Sequence, residues 1–187
     1  VVDDSDRDSM IFSDGAGATV IEFKDNIQDT GIISHKSATF ASKEANYLSF
    51  KKSYNKRESS ATRFMKMNGR KIYNFALTEV PKAMKACLNE SGYNIDDVKK
   101  ILIHQANEKM DEAICNRFYK LFNADSPKHV MPMSIQKLGN SSVATLPTLL
   151  DLILKKQLDN QSIEKGEVVI FASVGAGMNI NAMVYKF

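Results

Sequence analysis

No stretch of this 187-residue sequence is apolar for long enough to form a membrane-spanning helix. The longest apolar run, around Val168 to Val174, falls far short of the roughly 20 residues required. The chain also opens Val-Val-Asp-Asp-Ser-Asp-Arg-Asp, where a secretory signal would be basic and then apolar, so a membrane or secreted protein is not expected. Cysteine is scarce. Cys87 and Cys115 lie in amphipathic helical stretches without C-x-x-C spacing, which implies no disulfide framework and points to a reducing intracellular compartment. There is no cluster with metal-ligand spacing, no phosphate-cradling P-loop and no dinucleotide fingerprint, so neither a metal nor a nicotinamide cofactor is expected. The initiating methionine is missing as well, and a chain that starts inside an acidic stretch is expected to be a fragment of a longer protein.

What is present describes an ordinary globular chain, 43% hydrophobic and 25% charged, long enough for one domain or for half of a larger two-part fold. The net charge of +3 is too small for a nucleic-acid binder, but it is unevenly spread. Residues 43–71 carry nine basic side chains against Glu44 and Glu58, so this segment is +7 and the remainder −4. Such a stretch either meets phosphates or an acidic protein surface, or is simply a solvated surface segment.

Periodicity divides the chain into alternating elements. Ser9 to Phe23 reads as strand, turn, strand, its small residues suited to close backbone approach. Gly31 to Ala41 is a second strand candidate. From Lys71 to Ser91 apolar residues recur at helical spacing until Gly92, with Pro81 predicting a kink or a later start. Lys100 to His104 reads as a buried strand, Asn107 to Phe122 as an amphipathic helix and Val130 to Met133 as a short strand. Gly139-Asn140-Ser141-Ser142 leads into a helix reaching roughly Lys156, with Pro147 at its start or at a bend. Glu167 to Val174 and Asn179 to Phe187 read as strands joined at Gly175-Ala176-Gly177. Strands interleaved with helices imply an α/β layered architecture in a single unit, residues 1–187.

Two residues stand where such sheets present ligand-facing groups. His104 falls between a strand and a helix, and Asn140 in a glycine-containing loop before another helix. Singly, each also reads as a capping or turn residue. Together, a neutral imidazole N–H and an amide N–H can donate to one developing oxyanion. A helix N-terminus after His104 would keep that ring neutral. No nucleophile accompanies them, because the patterns around Cys87 and Cys115 suit core packing.

His104-Gln105-Ala106-Asn107, then Gly139-Asn140-Ser141-Ser142, then Phe171-Ala172-Ser173-Val174-Gly175-Ala176-Gly177 resemble, in that order, the C-terminal half of 3-oxoacyl-[acyl-carrier-protein] synthase III. Ser13-Asp14-Gly15-Ala16-Gly17-Ala18 and Met67-Asn68-Gly69-Arg70-Lys71-Ile72-Tyr73 are similar to that family too. The resemblance implies a thiolase-like fold of two similar halves in an αβαβα stack, of which this chain is the second, a mixed sheet covered by helices. It implies that a cysteine on the other half is acylated by an acyl-CoA, and that malonyl-[acyl-carrier-protein] is decarboxylated and condensed onto the acyl group. His104 and Asn140 then match the residues that stabilise the thioester enolate. Gln105, Ala106, Asn107 and Lys109 would lie at the mouth of the pantetheine tunnel and contribute to carrier-protein docking, with Gly69 and Arg70 near the pantetheine or nucleotide arm.

Departures are few. Lys109 stands where the family often has arginine, Ser141 and Ser142 follow Asn140 where Gly-Asn-Thr-Ser is common, and Val174 replaces a frequent phenylalanine, which would widen the pocket. The implied protein is a cytoplasmic, bacterial, homodimeric acyltransferase of fatty acid synthesis, its substrates acyl-CoA and malonyl-acyl-carrier protein. Related enzymes of secondary metabolism share His and Asn. The alternative in another class is a non-catalytic half-domain that binds acyl-carrier protein or coenzyme A through its basic segment. Without the other half, the faces that pack on it would be exposed, and the chain would self-associate or be marginally stable.

Overall fold

In a computed structural model, which describes residues 2–23, 25, 30–57 and 61–187, the chain builds a four-stranded mixed sheet with helices on both faces. The elements are β1 (Gly31–Thr39), β2 (Leu48–Lys51), β3 (Phe64–Met67), α1 (Gly69–Ser91), β4 (Val98–Ile103), α2 (Glu108–Lys120), α3 (Ile135–Leu138), α4 (Thr145–Leu154), β5 (Val168–Gly175) and β6 (Asn179–Lys186). Strand order is β1-β6-β5-β4. β4 runs parallel to β5, and β6 is antiparallel to both β5 and β1. β2 and β3 form a separate antiparallel pair within the basic segment.

Alternation along the strands sorts the core into two layers. Ile101, Ile103, Ile170, Ala172, Ile180, Ala182 and Val184 face α1 and α2, where they pack on Val80, Met84, Leu88, Ile114 and Phe118. Leu102 and Val169 point the other way, onto Leu149 and Ile153 of α4. Among the described residues, α4 is the helix that covers that second face. A broad apolar hollow of about 1050 Å³ lies beside it, lined by Leu146, Leu150, Phe171, Met183, Tyr185 and Phe187 together with Val20, Ile21 and Phe23.

α1 is one unbroken helix that begins at Gly69, ahead of the apolar pattern that announces it, and ends at Gly92 with φ +78°. Pro81 lies inside it and has no N–H to offer the carbonyl four residues earlier. That carbonyl belongs to Leu77, and Arg117 Nη1 of α2 donates to it at 3.1 Å. The second helix therefore repairs the defect in the first, which would otherwise leave a carbonyl short of a partner at about 1–3 kcal/mol.

Two strand expectations are corrected. Residues 9–23 form no strand: Arg7–Ile11 is a 3₁₀ turn, Phe12 makes a single bridge to Asn140, and Val20, Ile21 and Phe23 are almost fully exposed. An apolar run becomes a strand only where a sheet edge receives it, and none does so here. Val130 to Met133 is irregular because Pro132 cannot donate to a ladder, leaving the Val130 carbonyl, which accepts from Ile101 N at 2.8 Å, as the link to β4. Pro147 sits in the first turn of α4.

Asp111 of α2 is fully buried, and neither carboxyl oxygen has a hydrogen-bond partner among the described residues. Burial pushes its pKa up to about 8. The folded chain thus holds a proton that the unfolded chain, with an ordinary carboxyl near about 3.9, has released. Stability should fall as pH rises between those values, by at most about 1.4 kcal/mol per pH unit, and level off above them. Asp111→Asn is expected to flatten this slope and to raise Tm at pH 8, as followed by thermal melts from pH 5 to 9.

Candidate functional site

The strand directions gather the candidate residues at one end of the sheet. β1, β4 and β5 all run toward that end, and His104 N continues the β4 ladder by donating to Ala172 O at 2.9 Å. Phe40, just past β1, exchanges backbone bonds with Met178 in the β5–β6 turn at 2.8 and 2.9 Å. Asn68 N donates to Tyr47 O at 2.8 Å, which brings the N-terminus of α1, with Gly69 and Arg70, to this end as well. The loop 139–144 and the start of α4 close the group.

Within this group His104 and Asn140 are joined through one residue. The Asn140 Oδ1 accepts from Ser142 N at 2.9 Å, and His104 Nδ1 lies 3.2 Å from Ser142 O. Because Oδ1 is held by the backbone, the buried Asn140 side chain keeps its Nδ2 donors unspent among the described residues. Asn140 is fixed further from below, its N donating to Ile11 O at 2.8 Å and its carbonyl accepting from Ser13 N at 3.0 Å. Burial pulls the half-buried His104 ring below its ordinary pKa, against the opposing pull of the Ser142 carbonyl, so the ring is neutral near pH 7. A carbonyl only accepts, so the proton of that neutral ring sits on Nδ1 and Nε2 presents a lone pair. Ser142 itself stands at φ +56°, a left-handed conformation seldom adopted by serine.

The residues after His104 divide by depth. Gln105 is fully buried, with no surface to offer a docking partner. Its Nε2 donates to Pro132 O at 2.9 Å, and its Oε1 accepts from Ser134 N and Ile135 N at 2.9 and 3.0 Å, fastening the loop that leads into α3. Ala106 packs on the first core layer. Asn107 is the N-cap of α2, its Oδ1 accepting from Met110 N at 3.2 Å. Lys109, Gly69 and Arg70 are exposed. Cys87 and Cys115 are buried in the α1–α2 layer, and burial pushes the Cys115 thiol up to about 12, so it supplies no thiolate.

Sequence reasoning missed the segments that hold Asn140 in place. Gly15 and Gly17 lie so close to the loop and helix beyond Asn140 that a Cβ on Gly15 would stand 2.8 Å from Ser141 Cβ, and one on Gly17 2.2 Å from Pro147 Cγ. The spacing of small residues announced a close approach but not its target. Farther back, buried Lys66 of β3 bonds Asp3 and Asp6, at 2.9 Å for Asp6, and lies 3.7 Å from the Tyr54 ring centre. Burial raises the Asp3 pKa, but bonds from Lys66, Tyr54 N, Ser53 and Ser5 outweigh it and hold the carboxyl well below its usual range.

Residues 88–187 match the family model described as 3-Oxoacyl-[acyl-carrier-protein (ACP)] synthase III C terminal. The chain belongs to that family. A beta-ketoacyl-[acyl-carrier-protein] synthase III of Porphyra umbilicalis is 32% identical over 194 aligned residues, which cover all of this chain and 56% of that protein. This chain spans about half the length of the curated relatives it matches. Among solved structures, the 3-oxoacyl-(acyl carrier protein) synthase III of Pseudomonas aeruginosa PAO1 superposes with a TM-score of 0.71 at 16% identity, over 88% of this chain and 47% of that one. The priming beta-ketosynthase of the R1128 polyketide biosynthetic pathway gives 0.69 at 19%, over 84% and 45%. These likenesses establish a thiolase-like α/β fold for this synthase III domain, in which α1 and α2 form one outer layer and α4 the opposite one.

The glycine contacts make a direct test of the Asn140 support. Gly17→Ala cannot fit against the Pro147 ring, and overpacking of this kind costs about 1–3 kcal/mol. The expected outcome is that residues 13–23 lift from α4. Faster proteolysis of that segment and faster amide exchange at Asn140, compared with a Gly69→Ala control that meets no atom within 4 Å, would show it.

Proposed function

We propose that this chain is the enolate-stabilising half of a condensing enzyme that joins an acyl group, delivered from an acyl-CoA, to malonyl-acyl-carrier protein with loss of CO2. The observation that carries this reading is the pairing of His104 with Asn140 through Ser142, at the end of the sheet where exposed Lys109 and Arg70 also stand. Decarboxylation of a malonyl thioester leaves negative charge on the thioester oxygen, and a fixed, dry donor such as Asn140 Nδ2 opposes that charge without reorganising. The acyl-bearing cysteine belongs, by family resemblance, to another part of the protein, since neither cysteine here is accessible.

His104 joins Asn140 as a second donor when its proton moves to Nε2. The peptide between Ser142 and Val143 controls this. Turned as it is, it presents a carbonyl to Nδ1; turned over, it would present the Val143 N–H, place the lone pair on Nδ1 and leave Nε2–H free for the substrate oxygen. The left-handed Ser142 gives that peptide a strained conformation to leave. Lys109 and Arg70 meet the acidic carrier protein and the phosphates of the pantetheine arm. A second reading, binding of carrier protein or coenzyme A without catalysis, rests on the same exposed cations and on the absence of a usable thiol.

In the intact protein, His104→Ala and Asn140→Ala are each expected to lower malonyl-thioester decarboxylation by about 10²–10³-fold. If neither changes the rate, the condensing-enzyme reading fails and the binding reading takes its place. Above about pH 7 the wild-type rate should not depend on His104 ionisation, because burial holds its ring below the ordinary value; a rate falling as pH rises from about 7 to 8 would instead identify an imidazolium donor. Lys109→Glu should raise KM for the carrier protein while leaving kcat near wild type, with an effect that shrinks as salt is added.

A further inference from the structure

At the opposite end of the sheet from His104, a cleft of about 540 Å³ opens between the starts of β4 and β5. Lys99, Lys100, Lys128, His129, Glu167 and Lys186 supply most of its charged and polar lining. The pairing register slips between Val98 and Lys100, so Lys99 is an extra residue in β4 and the strict alternation of faces is lost. Both lysines consequently line the same cleft.

Lys100 is the unusual member. It is only 5% exposed, yet its ammonium makes one hydrogen bond, to His129 O at 2.7 Å, and has no carboxylate partner among the described residues. An ammonium carries three donors, and a buried cation without a directly bonded carboxylate is costly. Glu167 is near enough for its charge to act on Lys100, but no carboxylate bonds the ammonium among the described residues, and two of the three lining carboxylates are engaged elsewhere. Glu167 pairs with Lys99 at 2.8 Å and accepts from Glu164 N at 2.7 Å, and Asp97 accepts from Asn94 N at 2.7 Å. Asp96 is exposed at the rim. Lys128 also has no partner among the described residues and is free to reach across the opening. Burial lowers the Lys100 pKa, a cost that a bound anion would relieve.

We propose that this cleft is a second ligand site, in which Lys100 anchors the phosphate or diphosphate group of a small molecule and Lys128 closes over it. The lining holds four ammonium groups, one of them paired with Glu167, against the carboxylates of Asp96, Asp97 and Glu167, and no guanidinium. That set suits a tetrahedral, multiply charged oxyanion met from several sides better than a planar carboxylate gripped by a fork. The site does not depend on the reading of His104 and Asn140, from which the sheet separates it.

The test is calorimetric titration of the protein with inorganic pyrophosphate and, separately, with glycerol 3-phosphate, alongside thermal melts in each. Saturable binding of either probe is expected, and the tighter one identifies a free diphosphate or a phosphomonoester as the source. Lys100→Met should weaken binding by about tenfold or more, the loss that follows removal of a charge-assisted hydrogen bond. It should also melt higher than wild type without ligand, because a buried ammonium held by a single hydrogen bond has gone. Lys51→Ala and Lys155→Ala, at exposed lysines outside the cleft lining, should bind as wild type does. Should Lys100→Met fail to fold, Lys100→Gln and Lys128→Ala carry the same comparison. The proposal is overturned if neither probe binds saturably, if sodium chloride at matched ionic strength gives the same melting shift, or if the Lys100 variants bind as tightly as wild type.

Discussion

The backbone bridge between Asn140 and the segment Ile11–Ser13 is the constraint on which the site depends. Two hydrogen bonds, of 2.8 and 3.0 Å, make the N-terminal segment part of the wall behind Asn140. Everything that holds that segment also holds the amide: the glycines that let it lie against Ser141 and Pro147, and the Lys66 clasp on Asp3 and Asp6 that starts it in the right place. The clasp belongs to β3, within the basic segment. One lysine of that stretch is therefore not a surface charge at all but an internal counter-ion, which composition alone does not distinguish from its eight neighbours in charge.

Electrostatics divides the molecule into two ends with different economies. At the His104 end the site's polar groups are bound to one another through neutral backbone, and the buried charge behind it, Lys66, is matched by Asp3 and Asp6. At the far end a lysine is buried with a single carbonyl for company. Between them Asp111 sits in the α2 layer as a carboxyl that stays protonated because burial disfavours its charge. A protein that keeps two unmatched ionisable groups in its interior gives up stability to do so, and only one of the two opens onto a cleft.

The legible parts of the fold were those in which periodicity and burial coincide. β4, β5, β6 and the helices α1, α2 and α4 show their apolar faces directly in the order of residues, and Gly92 marks the end of α1 by its chemistry. The 9–23 segment misled because its apolar alternation is real while the sheet edge it requires is not offered by these residues. The Val130–Met133 run misled because Pro132 vetoes a ladder that its neighbours would favour. β2 and β3 hid within a run of charge. For the site, residue type and position picked out His104 and Asn140, but not Ser142, whose contribution lies in its peptide groups, nor the inward role of Gln105, since a buried and an exposed glutamine look alike in a sequence.

The repaired helix has a mechanical consequence. Arg117 reaches across to the one carbonyl of α1 that Pro81 leaves open, so the two helices share a fixed point along their length, set by the position of a proline. Sliding α2 by one turn would uncouple it, and the intermediate positions offer no alternative acceptor made vacant in the same way. α2 begins at Glu108, four residues after His104, with Asn107 as its N-cap. The proline thus gives α1 a docking point for α2, more than two helical turns along α2 from its start beside His104.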